Sequence, residues 1–452
     1  QKIENNEPVE VPDVWLKYGN VWEVRKVKHA CDVKFGGHVD MWFDENGKTV
    51  VNHIPSFVVR AVPYDVPVVG HDTKVTNTLR LWDAEIAEDF VKSADLSDYI
   101  NQVKEITRNV YPDDSTEHGK KLRLKQEYFF VCAGINQIIR RHLRSYPNLD
   151  NLHEKIAIQL NDTHPVLCVP ELMRVLLDDF GYDWDQAWYI TKNTIAYTNH
   201  TVMPEALECW NEGLFALKLP RIHMIVKEIN RRLCADLWNM YPGDWDRISR
   251  MSVIAQGQVR MANLSVAASH KVNGVSALHS DILTKTVFHD YYKAFPDKFT
   301  NVTNGIAYRR WLCYSNPGLS ALLDECIGTA YRTDSERLED FRAFKDDKPT
   351  LERLMQIKAD NKVNFAALVE KNTGVRIDPS SIFDVQVKRM HEYKRQLLNA
   401  LKIISLYNDI LENPNADIPP ATFIFGGKAA PGYYMAKDII KLIWSIGQEF
   451  AR

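Results

Sequence analysis

The amino-acid sequence predicts an α/β protein that is built on parallel sheets and divided into more than one domain. Its 452 residues exceed the roughly 150 residues of a typical domain. From about residue 150, short apolar runs alternate with helical segments, as is typical of parallel sheets. Hydrophobic residues make up 45% of the chain and charged residues 25%, a composition that excludes a disordered or fibrous protein.

The early part of the chain is predicted to be rich in strands. Residues 38–70 hold clusters of valine and aromatic side chains on both sides of the hairpin signal Asn46-Gly47.

Strand-to-helix units are predicted in the rest of the chain. A strand over 156–160 precedes a helix over 167–180, and a strand over 195–197 precedes a helix over 206–217. Further helices are predicted over 222–240, 248–268, 317–331 and 351–373. The last hundred residues repeat the unit, with strands over 382–387 and 422–425 and helices over 396–411 and 436–446, which indicates a second, incomplete Rossmann-like sheet. Because Asn304-Gly305 is a turn signal, we expect domains over residues 1–300 and 301–452.

Charge and cysteine content exclude several classes of protein. Lys and Arg total 56 against 59 Asp and Glu, so no overall field favours nucleic acid. No apolar run approaches the roughly 20 residues that a membrane span needs. The seven scattered cysteines predict reduced thiols in a cytoplasmic protein. The chain begins at Gln1 and stops inside a predicted helix, so we expect a fragment that lacks both ends.

The segment Lys388 to Arg395 is the strongest candidate for a binding site. It places four cations and one carboxylate in the turn between a predicted strand and a predicted helix. Backbone N–H groups and the helix dipole would join those cations, which predicts a site for one or two phosphates. A solvated basic helix start explains the composition equally well. The position beyond the carboxyl end of a strand favours a ligand.

Four other junctions carry polar residues. In Asn161 to Pro165, Asp162 or Thr163 is predicted to cap the following helix. His200, before Pro204-Glu205, is a ligand or a structural histidine. Asn301 to Ile306 is a tight turn with glycine at positive φ, or a carboxamide site for sugar hydroxyls. Gly426 to Gly432 is a weak nucleotide signal.

Together these junctions predict a cleft between two α/β domains for an anionic, hydroxyl-rich ligand, with no metal-ligand cluster and no nucleophile elbow. The reaction type stays open at this point. Retaining glycosidases use a pair of carboxylates, and no such pair stands out in the sequence.

The chain resembles the glycogen and α-glucan phosphorylases in seven sequence motifs, which occur in order along the chain. They are Tyr18-Gly-Asn-Val-Trp-Glu23, Leu122-Arg-Leu-Lys-Gln-Glu-Tyr128, Gln159-Leu-Asn-Asp-Thr-His-Pro165, Tyr197-Thr-Asn-His-Thr201, Val302-Thr-Asn-Gly-Ile306, Val387-Lys-Arg-Met-His-Glu-Tyr-Lys-Arg-Gln396 and Gly426-Gly-Lys-Ala-Ala-Pro-Gly432. The resemblance implies two Rossmann-like domains of the GT-B glycosyltransferase type, the second truncated. It also implies pyridoxal 5'-phosphate as cofactor and reversible phosphorolysis of α-1,4-glucan ends to glucose 1-phosphate, with retention. The expected enzyme is an allosteric, cytoplasmic transferase of carbohydrate metabolism.

The resemblance also implies a role for individual residues. Lys388 resembles the lysine that holds the cofactor phosphate, and Arg389 and Lys394 resemble the pair that binds substrate phosphate. The implied sugar ligands are Tyr393, Asn304, Asp114 and, for the 6-hydroxyl, His200, while Trp311 is implied to lie near the cofactor. Ser115 departs from the pattern, because several members have an asparagine there that touches the sugar.

The implied partners are glycogen or maltodextrin, inorganic phosphate and glucose 1-phosphate, and the complete protein is expected to be a homodimer. The family's Schiff-base lysine and its upstream Gly-rich loop are not found, so we expect this chain alone to be inactive. Two alternatives remain. One is a non-catalytic glucan-binding or assembly module of the same fold. The other is a nucleotide-sugar glycosyltransferase, for which Gly426 to Gly432 is the candidate nucleotide loop.

Overall fold

The structure, a computed structural model, describes residues 2–9, 19–45, 47–90, 96–108, 110–203 and 206–450. Tyr18, Asn46, Pro204 and Glu205, which the sequence patterns include, lie outside the described residues. The described residues divide into two compact units. One unit runs from Asn20 to Asn304, and the other combines the start of the chain with the residues from Gly305 onward. The sequence had predicted domains over 1–300 and 301–452.

The start of the chain is a short hairpin of β1 (Lys2–Glu4) and β2 (Glu7–Val9). Asn5 and Asn6 form its turn with positive φ angles of 51° and 64°, a conformation that asparagine tolerates well. Asn6 accepts a hydrogen bond of 3.1 Å from the Trp444 indole, and Glu7 pairs with Lys441. These contacts explain why the hairpin belongs to the same unit as the end of the chain.

The unit from Asn20 to Asn304 begins with antiparallel strands, as predicted. They are β3 (Val24–Arg25), β4 (Cys31–Phe35), β5 (His38–Phe43), β6 (Thr49–Ile54), β7 (Phe57–Val69) and β8 (Thr76–Glu85). Strand β7 pairs with β3, β4 and β8, and β5 pairs with β6. Alternate residues of β4 are buried, which is the pattern of a strand with one face on the core.

Three helices follow: α1 (Leu96–Arg108), α2 (Glu117–His142) and α3 (Leu152–Lys155). Thr116 caps α2, since its hydroxyl accepts a hydrogen bond of 3.0 Å from the Gly119 N–H. The middle of α2 is buried among apolar neighbours, with Leu124, Phe129 and Ala133 fully inaccessible to solvent.

The second half of this unit contains β9 (Ile158–Asn161), α4 (Cys168–Arg174), α5 (Trp184–Thr194), β10 (Ile195–Thr198), β11 (Cys209–Asn211), α6 (Glu212–Lys218), α7 (Pro220–Met240), α8 (Trp245–Met251), β12 (Ile254–Ala255), β13 (Gln258–Arg260), α9 (Met261–Ala268), β14 (Lys271–Gly274), α10 (Ala277–Ile282), α11 (His289–Ala294) and β15 (Phe299–Asn301). Strands β9, β10, β14 and β15 form a parallel sheet in the order β15-β14-β10-β9. Their carboxyl ends therefore meet at one edge.

Two helix predictions in this region are wrong. The predicted helix over 206–217 begins as β11, which pairs antiparallel with β13, and becomes helical only from Glu212. The predicted helix over 248–268 is divided into α8, the β12–β13 hairpin and α9. Gln256 and Gly257 form the hairpin turn with φ angles of 54° and 69°, so a strand pairing interrupts the apolar pattern.

The second unit contains α12 (Pro317–Ile327), α13 (Lys348–Thr373), β16 (Ile382–Val387), α14 (Gln396–Glu412), β17 (Ala421–Gly426) and α15 (Tyr434–Phe450). These bounds confirm the predicted elements, except that α12 ends before Gly328 and not at 331. Strands β16 and β17 pair in parallel, and each is followed by a helix. The chain is thus a mixed α/β protein.

Two predictions made from composition can be compared with the structure. All seven cysteines are free, as predicted. Within the described ranges, none of the helices combines the length and the apolar character that crossing a bilayer requires.

Candidate active site

The carboxyl edge of the parallel sheet in the first unit gathers several polar residues. Asn161 is the last residue of β9 and lies opposite Thr198, the last residue of β10. His200 follows β10 by two residues, and Asn304 follows β15 by three. Parallel sheets bind ligands at this edge, and the topology brings two of the predicted sugar ligands to it.

His200 is exposed, and its ring forms a hydrogen bond with the described residue Asn161. Its Nε2 lies 2.7 Å from Asn161 Oδ1, which makes Nε2 the donor. In the neutral ring the other nitrogen, Nδ1, is then an acceptor and is available to a ligand hydroxyl. The preceding Asn199 is buried and fixes the loop, because its Nδ2 donates to the Tyr197 hydroxyl at 2.9 Å and its Oδ1 accepts from the Thr201 N–H at 2.9 Å.

Asn304 is also exposed, and its backbone N–H donates to the Val275 carbonyl at 3.1 Å. Its side chain forms no hydrogen bond with any described residue, so both of its polar atoms are open to a ligand. The expected positive φ at Gly305 is wrong, because that glycine lies outside the left-handed region.

The turn after β9 does not cap α4, contrary to the prediction. Leu167 occupies the N-cap position and makes no side-chain hydrogen bond there. Asp162 adopts a left-handed φ of 63° and accepts a hydrogen bond of 2.7 Å from the Thr163 N–H. The Thr163 hydroxyl instead donates to Glu208 Oε2 at 2.6 Å, so the turn is attached to the segment before β11.

His164 in this turn lies between two carboxylates. Its Nδ1 is 3.8 Å from Glu127 Oε1 and 3.6 Å from Glu208 Oε2, and Arg123 Nε is 3.0 Å from Glu127 Oε1. The Trp210 indole also donates to Glu208, at 3.2 Å.

The electrostatics of this cluster follow from burial and proximity. The two glutamates raise the pKa of His164 to about 10. Burial raises the pKa of Glu127 to about 8, an effect that His164 opposes. Burial also disfavours ionised Glu208, but hydrogen bonds with His164, Glu127 and Thr163 lower its pKa to about 2.

The ligand atoms of Glu127, His164 and Glu208 all lie within 4.8 Å of one another, a grouping that the sequence analysis did not predict. Such a set resembles a divalent cation site. Here, however, the positive charges of Arg123 and His164 already lie beside these groups.

The basic turn, which we define as Lys388 to Arg395, follows β16 in the second unit. The Lys388 N–H donates to the Gly426 carbonyl at 2.9 Å, and the Met390 N–H donates to the Lys428 carbonyl at 3.1 Å. A Cβ atom at Gly427 would lie 2.3 Å from the Lys388 carbonyl oxygen, so glycine is required for this close approach.

The cations of the basic turn have few partners. Within the described parts of the chain, no carboxylate pairs with Lys388, Arg389 or Arg395. Glu392, the turn's own carboxylate, instead accepts a hydrogen bond of 2.6 Å from the Tyr433 hydroxyl. Lys394 Nζ lies 5.5 Å from the centre of the Tyr393 ring. The turn therefore presents unneutralised positive charge, as a phosphate site requires.

The remaining predicted residues lie apart from these groups. Trp311 is 67% exposed and lies in a π-helical turn, Arg309–Tyr314. Asp114 is exposed in the loop before α2 and makes no hydrogen bond or ion pair with another described residue. The neighbouring Ser115 hydroxyl donates to Asp113 Oδ1 at 2.7 Å.

Sequence reasoning missed the cluster around His164. The signal that could have revealed it was Glu127, a charged residue that directly precedes the largely apolar stretch from Tyr128 to Ile135 in α2. A buried carboxylate needs a partner, but apart from Arg123 in the same helix its neighbours come from segments 37 and 81 residues away in sequence, which periodicity cannot identify.

Comparisons with known proteins identify the family of the chain. A family model described as carbohydrate phosphorylase matches residues 1–451. The chain is 47% identical over 449 residues to a glycogen phosphorylase of Bacillus subtilis, covering 99% of this chain and 56% of that protein. It is 47% identical to the muscle form of glycogen phosphorylase of Oryctolagus cuniculus, covering 99% and 55% of the two chains. A glycogen phosphorylase of Synechocystis is 44% identical, with 99% and 54% covered.

The chain thus spans about half the length of the curated relatives it matches. The match nonetheless includes both groups of residues described above, the sheet edge with His200 and Asn304 and the basic turn. The chain belongs to the carbohydrate phosphorylase family.

Proposed function

We propose that the full-length protein is a glycogen or α-1,4-glucan phosphorylase. It transfers the terminal glucose of a glucan to inorganic phosphate and releases glucose 1-phosphate with retention of configuration. The single observation that carries this proposal is the basic turn, whose cations have no carboxylate partner among the described residues. Family membership and the open polar atoms of His200 and Asn304 support it.

Pyridoxal 5'-phosphate is the cofactor that we propose. Lys388 fits its phosphate group, because this residue lies directly after β16 and its ammonium has no carboxylate partner among the residues that the structure describes. Trp311, with an exposed indole, is proposed to lie against the cofactor. When bound, the cofactor would supply an acidic phosphate that exchanges a proton with the substrate phosphate.

The residues of this chain would act chiefly by binding and electrostatics. Arg389 and Lys394 hold the substrate phosphate and neutralise its charge as a phosphate oxygen bonds to C1 of the glucose. The glycosidic bond between C1 and the leaving oxygen breaks, and that oxygen takes up the proton of the attacking hydrogen phosphate to become the 4-hydroxyl of the shortened glucan. Preorganised charge of this kind is usually the largest contribution to catalysis.

The sugar would be oriented by hydrogen bonds to its hydroxyls. His200 Nδ1 accepts from the 6-hydroxyl, because Asn161 keeps the proton of the ring on Nε2. Asn304, Tyr393 and Asp114 are proposed to contact other hydroxyls of the glucan substrate. The buried carboxyl groups Glu127 and Glu208 lie beside His164 and are not proposed to take part in covalent chemistry.

Further properties of the full-length protein belong to the same proposal. Its glucan substrates are glycogen or maltodextrin, and it works as a cytoplasmic homodimer. These statements rest on membership of the family, which is shown by the match over residues 1–451.

Release of glucose 1-phosphate tests the proposal. The full-length protein, supplied with pyridoxal phosphate, should convert glycogen and inorganic phosphate to glucose 1-phosphate, and this activity should disappear without phosphate. Glucan binding without turnover would favour an inert glucan-binding module. Transfer of glucose from UDP-glucose or ADP-glucose, without phosphorolysis, would favour a nucleotide-sugar glycosyltransferase.

A further inference from the structure

We propose that Gln396 is a positioning residue for the basic turn. Together with Gln386, it holds the backbone of the residues that carry the phosphate-binding cations. The proposal rests on the function proposed above. It assigns a role to carboxamides that do not themselves contact phosphate.

Gln396 is the first residue of α14 and is only 1% exposed. Its Nε2 donates to the Arg389 carbonyl at 3.1 Å, and its Oε1 accepts from the His391 N–H at 3.4 Å. One carboxamide therefore spans the backbone on both sides of Met390, which is itself buried. A buried polar side chain is costly unless both of its ends are bonded, and here both are.

Gln386 makes the corresponding contact at the other end of the turn. Its Nε2 donates to the Lys394 carbonyl at 3.1 Å, and its Oε1 accepts from Asn399 Nδ2 at 3.0 Å. The carbonyls of Arg389 and Lys394, the two residues proposed to bind substrate phosphate, are thus both held by carboxamide donors.

This arrangement has an electrostatic consequence. A carbonyl oxygen that turned toward a bound phosphate would repel it, whereas the cations and free N–H groups attract it. By occupying these two carbonyls, the carboxamides keep them from rotating toward the anion. Arg395, which adopts a left-handed φ of 61°, ends the turn and places Gln396 at the start of α14.

The test is the phosphate dependence of a variant that keeps the shape of the side chain but removes its hydrogen bonds. In the full-length protein, Gln396→Met should raise the KM for inorganic phosphate about tenfold, the effect of losing about one hydrogen bond at the binding geometry. The KM for glycogen should change less than the KM for phosphate, because three of the four proposed sugar ligands, His200, Asn304 and Asp114, lie outside the basic turn and only Tyr393 lies within it.

Ile403→Ala is the matched control. Ile403 is buried in the same helix, and its apolar side chain cannot hydrogen-bond to the basic turn. Its truncation should therefore lower the melting temperature while the KM for phosphate stays constant. An unchanged phosphate KM in a folded, active Gln396→Met protein would overturn the inference. If that variant does not fold, Gln386→Met decides in the same way, with a raised phosphate KM supporting the inference and an unchanged one overturning it. Absence of phosphorolysis in the unmodified protein would instead contradict the proposed function.

Discussion

At the scale of single residues, Arg389 is the side chain on which the proposed chemistry depends most. It is exposed and has no carboxylate partner among the residues described, so its charge is available to a ligand. We expect Arg389→Ala in the full-length protein to lower kcat/KM by about 10²–10³-fold. This corresponds to about 2.7–4 kcal/mol of lost transition-state stabilisation, as for the loss of one preorganised donor. Steady-state kinetics with varied phosphate measures this. Near-normal phosphorolysis would mean that the basic turn is only a solvated helix start.

Substitutions of Lys388 and Lys394 are predicted to have different effects on cofactor binding and on phosphate binding. Lys388→Ala should weaken cofactor retention as well as rate, because its ammonium offsets the cofactor's phosphate charge. Lys394→Ala should leave the cofactor bound but raise the phosphate requirement. Cofactor stoichiometry, measured from pyridoxal absorbance beside phosphate kinetics, distinguishes the two. Equal loss of cofactor in both variants would contradict the separate assignment.

His164 should make stability depend on pH. Its pKa is raised from 6.5 to about 10, so its contribution is fully present below pH 6.5 and is lost as the pH rises toward 10. The difference in the free energy of unfolding between the unmodified chain and His164→Gln should therefore be largest near pH 6 and shrink by pH 10. Urea unfolding at several pH values measures it, and a difference that grows with pH would refute it.

The sequence shows which residues carry charge but not which charges are neutralised. The basic turn was predictable because its cations are adjacent in the chain and follow an apolar strand. The contacts of Glu127 with His164 and Glu208 were not predictable, since these two residues come from outside α2. The same limit applies to Gln396, whose burial depends on how α14 packs.

At the scale of elements, the junction between β16 and β17 should be sensitive to one added methyl group. A Cβ at Gly427 would clash with the Lys388 carbonyl at 2.3 Å, so Gly427→Ala must displace the basic turn or the loop after β17. We expect weaker cofactor retention and a lower melting temperature.

Gly447→Ala is the control for this substitution. Gly447 lies in α15 with no other atom within 4 Å of the added Cβ, so alanine should stabilise the helix by roughly 0.5–1 kcal/mol. Similar effects of the two substitutions on cofactor retention would show that the close approach at Gly427 is unimportant.

Elements with their own boundary signals were predicted well. Helix α13 has Asp347 as its N-cap and Gly374 in the left-handed conformation at its end, and the sequence prediction of this helix was close. The region over 248–268 was predicted poorly, because the β12–β13 hairpin depends on the pairing of β13 with the distant β11. Strand pairing across the fold overrides local apolar periodicity.

At the scale of the whole molecule, the two units differ in how much apolar surface they bury. The unit from Asn20 to Asn304 has an extensive core, with Tyr197, Phe129 and Phe215 fully buried. Among the described residues of the other unit, the cluster around the basic turn consists of Met390, Ala429, Ala436 and Ile439 with three partly buried neighbours.

Hydrogen exchange of the 452-residue chain should reflect this difference. Amides of β10 and α9 should exchange most slowly, and those of β16 and β17 should exchange faster, because fewer buried contacts oppose local opening. Mass spectrometry of peptides from each region measures the rates. Equal protection of both sheets would contradict this expectation.

The contact between His200 and Asn161 has a consequence for the choice of sugar. With Nε2 committed to Asn161, the only open atom of a neutral His200 ring is an acceptor, so the proposed site asks for a hydroxyl hydrogen at C6. A glucan end whose 6-hydroxyl is methylated has no hydrogen to donate and leaves Nδ1 of His200 unpaired. An end that is phosphorylated at the same hydroxyl offers acceptors where a donor is needed. Degradation of a modified glucan should therefore halt at the first such residue, so that one ring nitrogen would decide how far a branch can be shortened.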